Sequence, residues 1–248
     1  MGAHLPGALG LADRRVLVTG AASGIGQAAA ECLAQLGATL VLTDRGPLDE
    51  TEARVKALGV PVTCIQGDIT DEALRQRLLA TGPYYALASA AGVFAGKPGM
   101  SEQEAFDFVM GVNVRATMQL ASACVDQMIA RQEGFVVLVG SAAGRNGGGL
   151  PNDSQAYATY AASKGGIHTV VRWLSRRAAV HGVMVNGVAP GIVATPLSAP
   201  MKIDTSVLPM KRLGQPHELG WPIALLCTQA ASFTSGAILD VNGGMFVG

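Results

Sequence analysis

Tyr160 and Lys164 are the residues of this chain whose types and spacing could carry chemistry. They lie in a stretch, 154–180, whose apolar periodicity predicts a helix, and a separation of four residues places both side chains on one helix face. A free tyrosine has a pKa of about 10, and a neighbouring ammonium favours its phenolate form. Lowering that pKa by about three units would take about 4 kcal/mol, which Lys164 and a cationic cofactor ring could supply together. Tyr160 is therefore a candidate general acid and base.

The rest of the chain must decide between this catalytic pair and a half-buried tyrosine beside a solvated lysine. With 248 residues, 49% of them hydrophobic, we expect a single domain over 1–248 with a loose segment at 1–12. The 18 basic and 18 acidic residues give zero net charge, so the composition favours neither nucleic acid nor an anionic membrane as partner. A small-molecule substrate is the better expectation.

The cysteines and histidines are widely spaced and predict no metal site. The cysteines stand in apolar segments, so we expect reduced core residues at Cys32, Cys64, Cys124 and Cys227. The chain starts without a charged and then apolar leader, and we find no apolar run long enough to span a bilayer. A cytoplasmic protein is expected by default.

A glycine-rich turn follows directly on a short predicted strand at 15–19 and precedes a helix predicted over 27–36. Glycines allow a tight turn and a close approach of the backbone, and a helix N-terminus offers free N–H groups to a pyrophosphate. A glycine-rich turn alone is weak evidence, but a strand before it and a helix after it are the context that a dinucleotide-binding motif requires. The candidate cofactor residues of this turn are Gly20, Ser23, Gly24, Ile25 and Gly26.

Asp44 ends the next predicted strand, 38–43, close to the expected position of an acid that bonds the adenosine ribose hydroxyls. A carboxylate there would repel a 2′-phosphate, so Asp44 favours NAD over NADP. Arg45 follows immediately and could partly offset this preference. The alternative interpretation of Asp44 is a solvated residue at a strand end.

Small and polar residues stand at further strand ends. A predicted strand over 84–89 runs into small residues that leave room for a cofactor, and Asn113 lies in a long helix, 101–131, predicted to bend near Gly111. An asparagine among apolar neighbours inside a helix needs hydrogen-bond partners. Ser141 follows the apolar strand 135–139, at a carboxyl end where open α/β sheets bind ligands.

Strands and helices alternate through the rest of the chain, which predicts an α/β, doubly wound parallel sheet in one domain. Helices are predicted over 48–58, 71–80 and 216–227, and strands over 61–66, 183–189 and 237–241. After the sharp turn Pro190-Gly191, the proline-containing segment 192–212 is expected to border the substrate.

Taken together, Thr19-Gly20-x-x-x-Gly24-x-Gly26, Asn113, Ser141 and Tyr160-x-x-x-Lys164 resemble the classical short-chain dehydrogenase/reductase family. Pro190-Gly191 with Thr195, and Asp240-Val241-Asn242-Gly243-Gly244, are similar to its pattern too. The order and spacing of these motifs over 15–244 carry the resemblance, since no single motif is decisive. It implies a Rossmann fold of about seven parallel strands with helices on both faces, and hydride transfer between NAD and a secondary alcohol or ketone.

The resemblance also implies a role for each site residue. Tyr160 would exchange a proton with the substrate oxygen, which Ser141 would orient. Lys164 would hold the nicotinamide ribose and keep Tyr160 acidic, while Asn113 would anchor a water that links Lys164 to solvent. Cofactor contacts are further implied for Asp44, Asp68, Ile69, Ala90, Ala91, Gly92, Pro190, Gly191, Ile192 and Thr195.

Two features depart from the family pattern. The fourth strand ends in Ser89-Ala90-Ala91-Gly92 where the family usually has Asn-Asn-Ala-Gly, so the amides that brace this turn are missing. The distance from Ser141 to Tyr160 is several residues longer than usual. We expect the additional loop, 146–153, at the rim of the substrate pocket, where it either shapes specificity or is a solvated insertion.

The expected pocket wall is mostly apolar and small, which suggests a neutral secondary alcohol or ketone. Its candidate residues are Val93, Phe94, Ala142, Ala143, Ile192, Leu197 and Met201, with Arg145 as the one charge placed to meet an acidic substrate. Members of the family pair the helices that correspond to 101–131 and 160–180, so a homotetramer is expected. The C-terminal residues 245–248 could pack against a neighbouring subunit.

Two other functions remain open. An NADPH-dependent 3-oxoacyl-acyl-carrier-protein reductase is the alternative within the enzyme class, but Asp44 and the absence of a basic docking patch argue against it. A non-catalytic dinucleotide-binding redox sensor is the alternative outside that class. A sensor needs only the cofactor half of the site, so the complete set of Asn113, Ser141, Tyr160 and Lys164 favours an enzyme.

Overall fold

The strands alternate with helices along the chain and form one sheet. The computed structural model describes residues 7–148 and 154–248. Its strands are β1 (Arg15–Thr19), β2 (Thr39–Thr43), β3 (Val62–Cys64), β4 (Ala86–Ser89), β5 (Gly134–Val139), β6 (Val183–Pro190) and β7 (Ile238–Val241). Their order is β3-β2-β1-β4-β5-β6-β7, and every neighbouring pair is parallel. The predicted parallel doubly wound sheet is confirmed.

Helices cover both faces of the sheet, which explains why its central strands are continuously apolar. The helices are α1 (Gly24–Gln35), α2 (Asp49–Ala57), α3 (Glu72–Ala80), α4 (Glu102–Met110), α5 (Thr117–Ile129), α6 (Ala143–Asn146), α7 (Gln155–Ala178) and α8 (Pro216–Leu226). Successive residues of a strand point to opposite faces. Val16 and Val18 of β1 accordingly join the core beneath α1 and α8, whereas Leu17 joins the core beneath α5 and α7.

The long helix predicted over 101–131 consists of three segments. A π-helical segment, Gly111–Ala116, connects α4 to α5 at the point where the sequence predicts a bend. The whole helix, Glu102–Ile129, has 28 residues and is apolar enough to cross a membrane by length and composition. However, 56% of its most apolar window is buried in the protein, as in a core helix. All four cysteines are free, and Cys64 is only partly buried.

The sequence analysis did not predict the short helix α6, which precedes the additional loop expected at 146–153. It ends where Gly147 and Gly148 adopt φ values of +77° and +116°, a left-handed region that favours glycine. α6 packs closely on α7, because a Cβ atom at Gly144 would lie 2.7 Å from the backbone nitrogen of Gly165. Residues 149–153 of the expected rim loop lie outside the described residues.

Candidate functional site

The glycine-rich turn touches the chain that follows β4 so closely that larger residues do not fit. Gly20 has φ of +70°, and a Cβ atom there would lie 2.6 Å from the nitrogen of Ala91. A Cβ atom at Gly26 would lie 2.0 Å from the carbonyl oxygen of Gly20. The helix α1 starts directly after this turn, and Ser23 makes no side-chain capping bond to its first N–H groups. These donors therefore remain able to bind an anion.

The turn opens onto a cleft of about 410 Å³, here called the glycine-loop cleft, at the carboxyl ends of β1, β2 and β4. Its lining unites the predicted dinucleotide residues Gly20, Ser23, Gly24, Ile25, Gly26, Asp44, Asp68, Ile69, Ala90, Ala91, Gly92 and Thr195. A dinucleotide site needs a helix N-terminus with free N–H groups, a glycine-rich turn and a carboxylate at the end of the next strand. The residues present therefore fit such a cofactor.

Asp44 is half-buried and fixed by the backbone. Its Oδ2 accepts a hydrogen bond from the nitrogen of Ala22 at 3.0 Å, and its Oδ1 accepts one from the nitrogen of Gly46 at 2.8 Å. A strand-end carboxylate that was only solvated would not have these two backbone hydrogen bonds. Arg45 is exposed at the edge of the same cleft.

A second cavity of about 150 Å³, here called the Tyr160 cavity, shares Ile25, Ala90, Gly92, Thr195 and Leu197 with the glycine-loop cleft. All the other predicted site residues except Asn113 line it, namely Ser141, Tyr160, Lys164, Pro190, Gly191 and Ile192. Of the expected pocket wall, Phe94, Ala142, Ala143, Leu197 and Met201 lie here, whereas Val93 lines the glycine-loop cleft. The two spaces are continuous, so a group at one end of the cleft can meet a group in the cavity.

Tyr160 and Ser141 line the same cavity, and Ser141 Oγ accepts a hydrogen bond from the nitrogen of Ala143 at 3.1 Å. Burial raises the pKa of Tyr160 to about 12, although the nearby hydroxyl of Ser141 acts in the opposite direction. Lys164 lies one turn away with its Nζ 5.7 Å from the Tyr160 ring centroid, and this Nζ donates to the carbonyl oxygen of Val139 at 2.9 Å. Burial lowers the pKa of Lys164 to about 8.

The sequence analysis expected Lys164 and a cationic cofactor ring together to lower the pKa of Tyr160. Without that ring, the groups of the polypeptide raise it. The physical reason is that both groups are desolvated, and burial disfavours the charged form of each. The polypeptide alone keeps Tyr160 as a neutral phenol, which is the form that can donate a proton.

Asn113 lies in the π-helical segment and ties it to two neighbouring elements. Its Nδ2 donates to the carbonyl oxygen of Val93 at 2.8 Å and to Oγ of Ser163 at 2.9 Å, while its Oδ1 accepts from the nitrogen of Val93 at 2.8 Å. Asn113 therefore has the partners that a buried amide requires. A Cβ atom at Gly92 would lie 3.3 Å from both Asn113 Oδ1 and Lys164 Nζ, so the three residues adjoin.

Hydroxyl groups brace the turn after β4, where the family's usual amides are missing. Thr19 Oγ1 and Ser89 Oγ lie 3.2 Å apart in a buried hydrogen bond. Thr19 Oγ1 also accepts a bond from the nitrogen of Ala91 at 3.2 Å. The hydroxyls of Thr19 on β1 and Ser89 on β4 thereby stabilise the turn. The sequence analysis gave neither residue this role.

Arg145 does not line the Tyr160 cavity, contrary to the sequence expectation. Its guanidinium donates to the carbonyl oxygen of Ile238 at 3.0 Å and pairs with Asp240 at 3.2 Å, on the neighbouring strand β7. The reason is that α6 turns this side chain towards the sheet edge. Met245, one of the C-terminal residues that could pack against a neighbouring subunit, lines the Tyr160 cavity.

His168 is a buried residue that the sequence analysis missed. It continues the series Tyr160, Lys164 at the same four-residue spacing, which was the available signal. Its ring packs on the backbone beside Ser141, since a Cβ atom at Gly140 would lie 2.3 Å from His168 Nε2. That nitrogen has no hydrogen-bond partner among the described residues. Burial first, and then the positive charges of Arg145, Arg172 and Lys164, lower the pKa of His168 to about 4 from 6.5.

His168 should make the fold sensitive to acid. Between pH 6.5 and 4 the unfolded chain binds a proton at this residue and the folded chain does not, so stability falls as pH falls. We expect about 2–3 kcal/mol of the unfolding free energy to be lost through this residue by pH 4.5. Urea unfolding at pH 7.5 and 4.5 should show a smaller difference for His168→Gln than for the native protein. The exposed His181→Gln is the control, and an unchanged difference in His168→Gln would contradict the assignment.

Within residues 7–148 and 154–248, no group of three or more His, Cys, Asp or Glu side chains is placed to hold a metal ion. The groups that could carry chemistry here are the hydroxyls of Ser141 and Tyr160, the amine of Lys164 and the lining of the glycine-loop cleft.

The family model described as "short chain dehydrogenase" matches residues 14–205. The chain is 31% identical to an acetoacetyl-CoA reductase of Synechocystis sp., with 95% of this chain and 97% of that protein covered. It is 35% identical to a galactitol 2-dehydrogenase (L-tagatose-forming) of Cereibacter sphaeroides, covering 93% and 94%. Reductases of 3-oxoacyl-[acyl-carrier-protein] also occur among the relatives.

Solved structures agree with this result. The crystal structure of a putative 2-deoxy-D-gluconate 3-dehydrogenase from Agrobacterium tumefaciens, with bound NADP, superposes with a TM-score of 0.84 at 28% identity. The match covers 97% of this chain and 99% of that one. This solved structure thus shares the fold over nearly the whole chain.

Proposed function

Because the chain belongs to the short-chain dehydrogenase family, we propose that it is an NAD-dependent oxidoreductase of a neutral secondary alcohol or ketone, with Tyr160 as general acid and base. Its relatives are named dehydrogenases and reductases, so the broader reaction class, a nicotinamide-dependent alcohol or ketone oxidoreductase, is a property of the family. The observation that carries the proposal is that Tyr160, Ser141 and Lys164 line one cavity, which shares five lining residues with the glycine-loop cleft.

The proposed chemistry divides between the cofactor and three side chains. A bound nicotinamide supplies or accepts the hydride. In ketone reduction, Ser141 donates a hydrogen bond to the carbonyl oxygen, and Tyr160 gives that oxygen its proton as the carbon is reduced. Lys164, one helix turn away, binds the nicotinamide ribose and offers the charge that stabilises the phenolate once the proton has left. Positioned proton transfer of this kind contributes about 10²- to 10⁴-fold in rate.

Asn113 has a positioning role in this proposal. Its bonds to Val93 and Ser163 fix the π-helical segment beside Lys164. The second lone pair of its Oδ1 can accept a hydrogen bond from the water that would connect Lys164 to solvent. The remaining assignments follow the lining of the glycine-loop cleft and of the Tyr160 cavity. Asp44 meets the adenosine ribose, Asp68 and Ile69 border the adenine, and Ile192 and Thr195 meet the nicotinamide carboxamide.

The preference for NAD rests on the charges beside the ribose position. A recess next to Asp44 is lined by three carboxylates, Asp44, Asp49 and Glu50, and one guanidinium, Arg45. A doubly charged 2′-phosphate in this recess would meet a net negative surface. NADP is nevertheless the cofactor found in a solved relative, and Arg45 is the residue that would bind its phosphate here. The two cofactors must therefore be compared directly.

A 3-oxoacyl thioester reductase is the second candidate because an acetoacetyl-CoA reductase is among the relatives. Such substrates carry phosphates and need cations near the entrance. Arg145, the cation expected at the pocket, pairs with Asp240 instead. This observation favours the small neutral substrate.

One assay tests the proposal. Initial rates are measured from reduced-nicotinamide absorbance, with NAD and NADP in parallel, against cyclic, aromatic, aliphatic and sugar-type secondary alcohols and a 3-hydroxyacyl thioester. We expect turnover of at least one neutral secondary alcohol with NAD. Strong preference for NADP together with the thioester would favour the reductase candidate. Binding of either dinucleotide without turnover of any substrate would favour the redox sensor.

We further propose a homotetramer in the cytoplasm. Large apolar side chains are exposed on the helices expected to pair, namely Phe106, Met118 and Trp173, and a second group, Trp221, Leu225 and Leu239, is exposed on α8 and β7. Apolar surface of this extent is typical of subunit interfaces. Light scattering should give four times the mass of one chain, and Trp173→Glu should lower it. A single-chain mass for the native protein would contradict the assembly.

A further inference from the structure

Three aromatic rings form one wall of the Tyr160 cavity. The Phe94 ring lies 5.0 Å from the Tyr157 ring, edge to face at 80°, and 5.1 Å from the Tyr160 ring. Gly148 closes the outer side of Tyr157, because a Cβ atom there would lie 2.9 Å from its ring. Rings held in contact on both sides keep a fixed orientation, so this wall presents a rigid apolar surface beside the reactive hydroxyl of Tyr160.

Further apolar side chains, here called the methionine side, line the cavity. They are Ile192, Leu197, Met201 and Met245. Methionine side chains adapt to the shape of a ring and make favourable sulfur–aromatic contacts. A substrate in the cavity would therefore meet aromatic, aliphatic and sulfur atoms.

Two polar side chains of the described lining are engaged with the backbone. Ser198 Oγ donates to the carbonyl oxygen of Val193 at 2.5 Å, and Asn146 Oδ1 accepts from the nitrogen of Gly148 at 3.1 Å. Lys164 is the only charged side chain in the described lining, and its Nζ binds Val139. A polyol would have to give up its hydration here without regaining equivalent hydrogen bonds, at a cost of about 1–3 kcal/mol for each unpaired group.

The volume is appropriate for one small ring. The cavity measures about 150 Å³, and an apolar protein cavity of about that size accommodates benzene. A longer chain or a fused ring system would have to extend out of the cavity towards the rim.

We infer that the substrate carries its reacting carbon in, or directly beside, a six-membered alicyclic or aromatic ring without further polar groups, and that Tyr157 is a specificity-determining residue. This inference rests on the proposed function and narrows its substrate class. The ring lies between the Phe94–Tyr157 wall and the methionine side, with its oxygen at Ser141 and Tyr160.

The first test compares matched alcohols. We expect kcat/KM for cyclohexanol or 1-phenylethanol to exceed that for a hexitol or a 3-hydroxyacyl thioester by at least 100-fold, since one unpaired polar group already costs about 1–3 kcal/mol. A higher kcat/KM for the polyol or the thioester would overturn the inference and leave the proposed reaction intact.

The second test uses Tyr157 variants. Tyr157→Ala should raise KM for the ring alcohol about tenfold and leave kcat within threefold, because packing is lost while Ser141 and Tyr160 remain. Tyr157→Phe should keep the native KM, since the ring of Tyr157, and not its hydroxyl, contacts the substrate. Leu58→Ala, an exposed truncation at the end of α2, is the control for general effects. A normal KM in Tyr157→Ala, with native thermal stability, would contradict the inference.

A binding measurement keeps the inference testable even without turnover. Saturation-transfer NMR on the Tyr160→Phe protein should detect cyclohexanone and show its displacement by acetophenone but not by a hexitol. If the native protein oxidises no alcohol while this ring binding is observed, the proposed function fails and the ring site stands. If no ring compound binds, the ring site itself is excluded.

Discussion

Replacing Tyr160 with phenylalanine is expected to lower kcat by about 10²- to 10⁴-fold while the affinity for the dinucleotide changes by less than threefold. The ring keeps its contact with Phe94, so the cavity retains its shape. Only the hydroxyl of Tyr160, the group proposed to transfer the proton, is lost. Steady-state kinetics and titration of cofactor binding on the same preparation measure the two quantities separately.

Tyr157→Phe is the matched control, because it removes a hydroxyl from the same helix and the same cavity. This variant should retain native kcat. Equal losses in both variants would indicate a general effect on the cavity, and retained turnover in Tyr160→Phe would refute its role as proton donor. A redox sensor predicts a third outcome, in which neither variant changes any measurable rate because the native protein has none.

The sequence predicted the sheet and the grouping of the site residues because both follow from local patterns. Apolar strands buried on two faces and helices with apolar stripes are visible in the residue order. The carboxyl ends of parallel strands meet at one edge, so Gly20, Asp44 and Ser141 had to converge once the strands were recognised. The four-residue spacing likewise placed Tyr160 and Lys164 on one face.

Features that depend on tertiary packing could not be predicted in this way. The pKa of Tyr160 depends on how much water its neighbours exclude, and that quantity is absent from the residue order. The direction of Arg145 depends on the short helix α6, whose end is determined by glycines at left-handed φ values. The hydroxyls of Thr19 and Ser89 became partners only because β1 and β4 are neighbours in the sheet.

The choice between the two dinucleotides is expected to depend on Asp44. Asp44→Ala should raise kcat/KM with NADP by about 10- to 100-fold, because it removes a fixed carboxylate from the recess that a 2′-phosphate would enter. The same change should lower kcat/KM with NAD by about 10- to 100-fold, since a hydrogen bond to a charged acceptor contributes about 1.5–3 kcal/mol. Parallel kinetics with both cofactors and one secondary alcohol measure this switch.

Asp107→Ala removes an equal charge from the exposed surface of α4 and controls for the change in net charge. Arg45→Ala tests the opposing residue and should weaken whatever activity the protein has with NADP. If the native protein prefers NADP and Asp44→Ala leaves that preference unchanged, the exposed guanidinium of Arg45 outweighs the carboxylate. The backbone bonds from Ala22 and Gly46 would then hold Asp44 for the shape of the turn and not for cofactor selection.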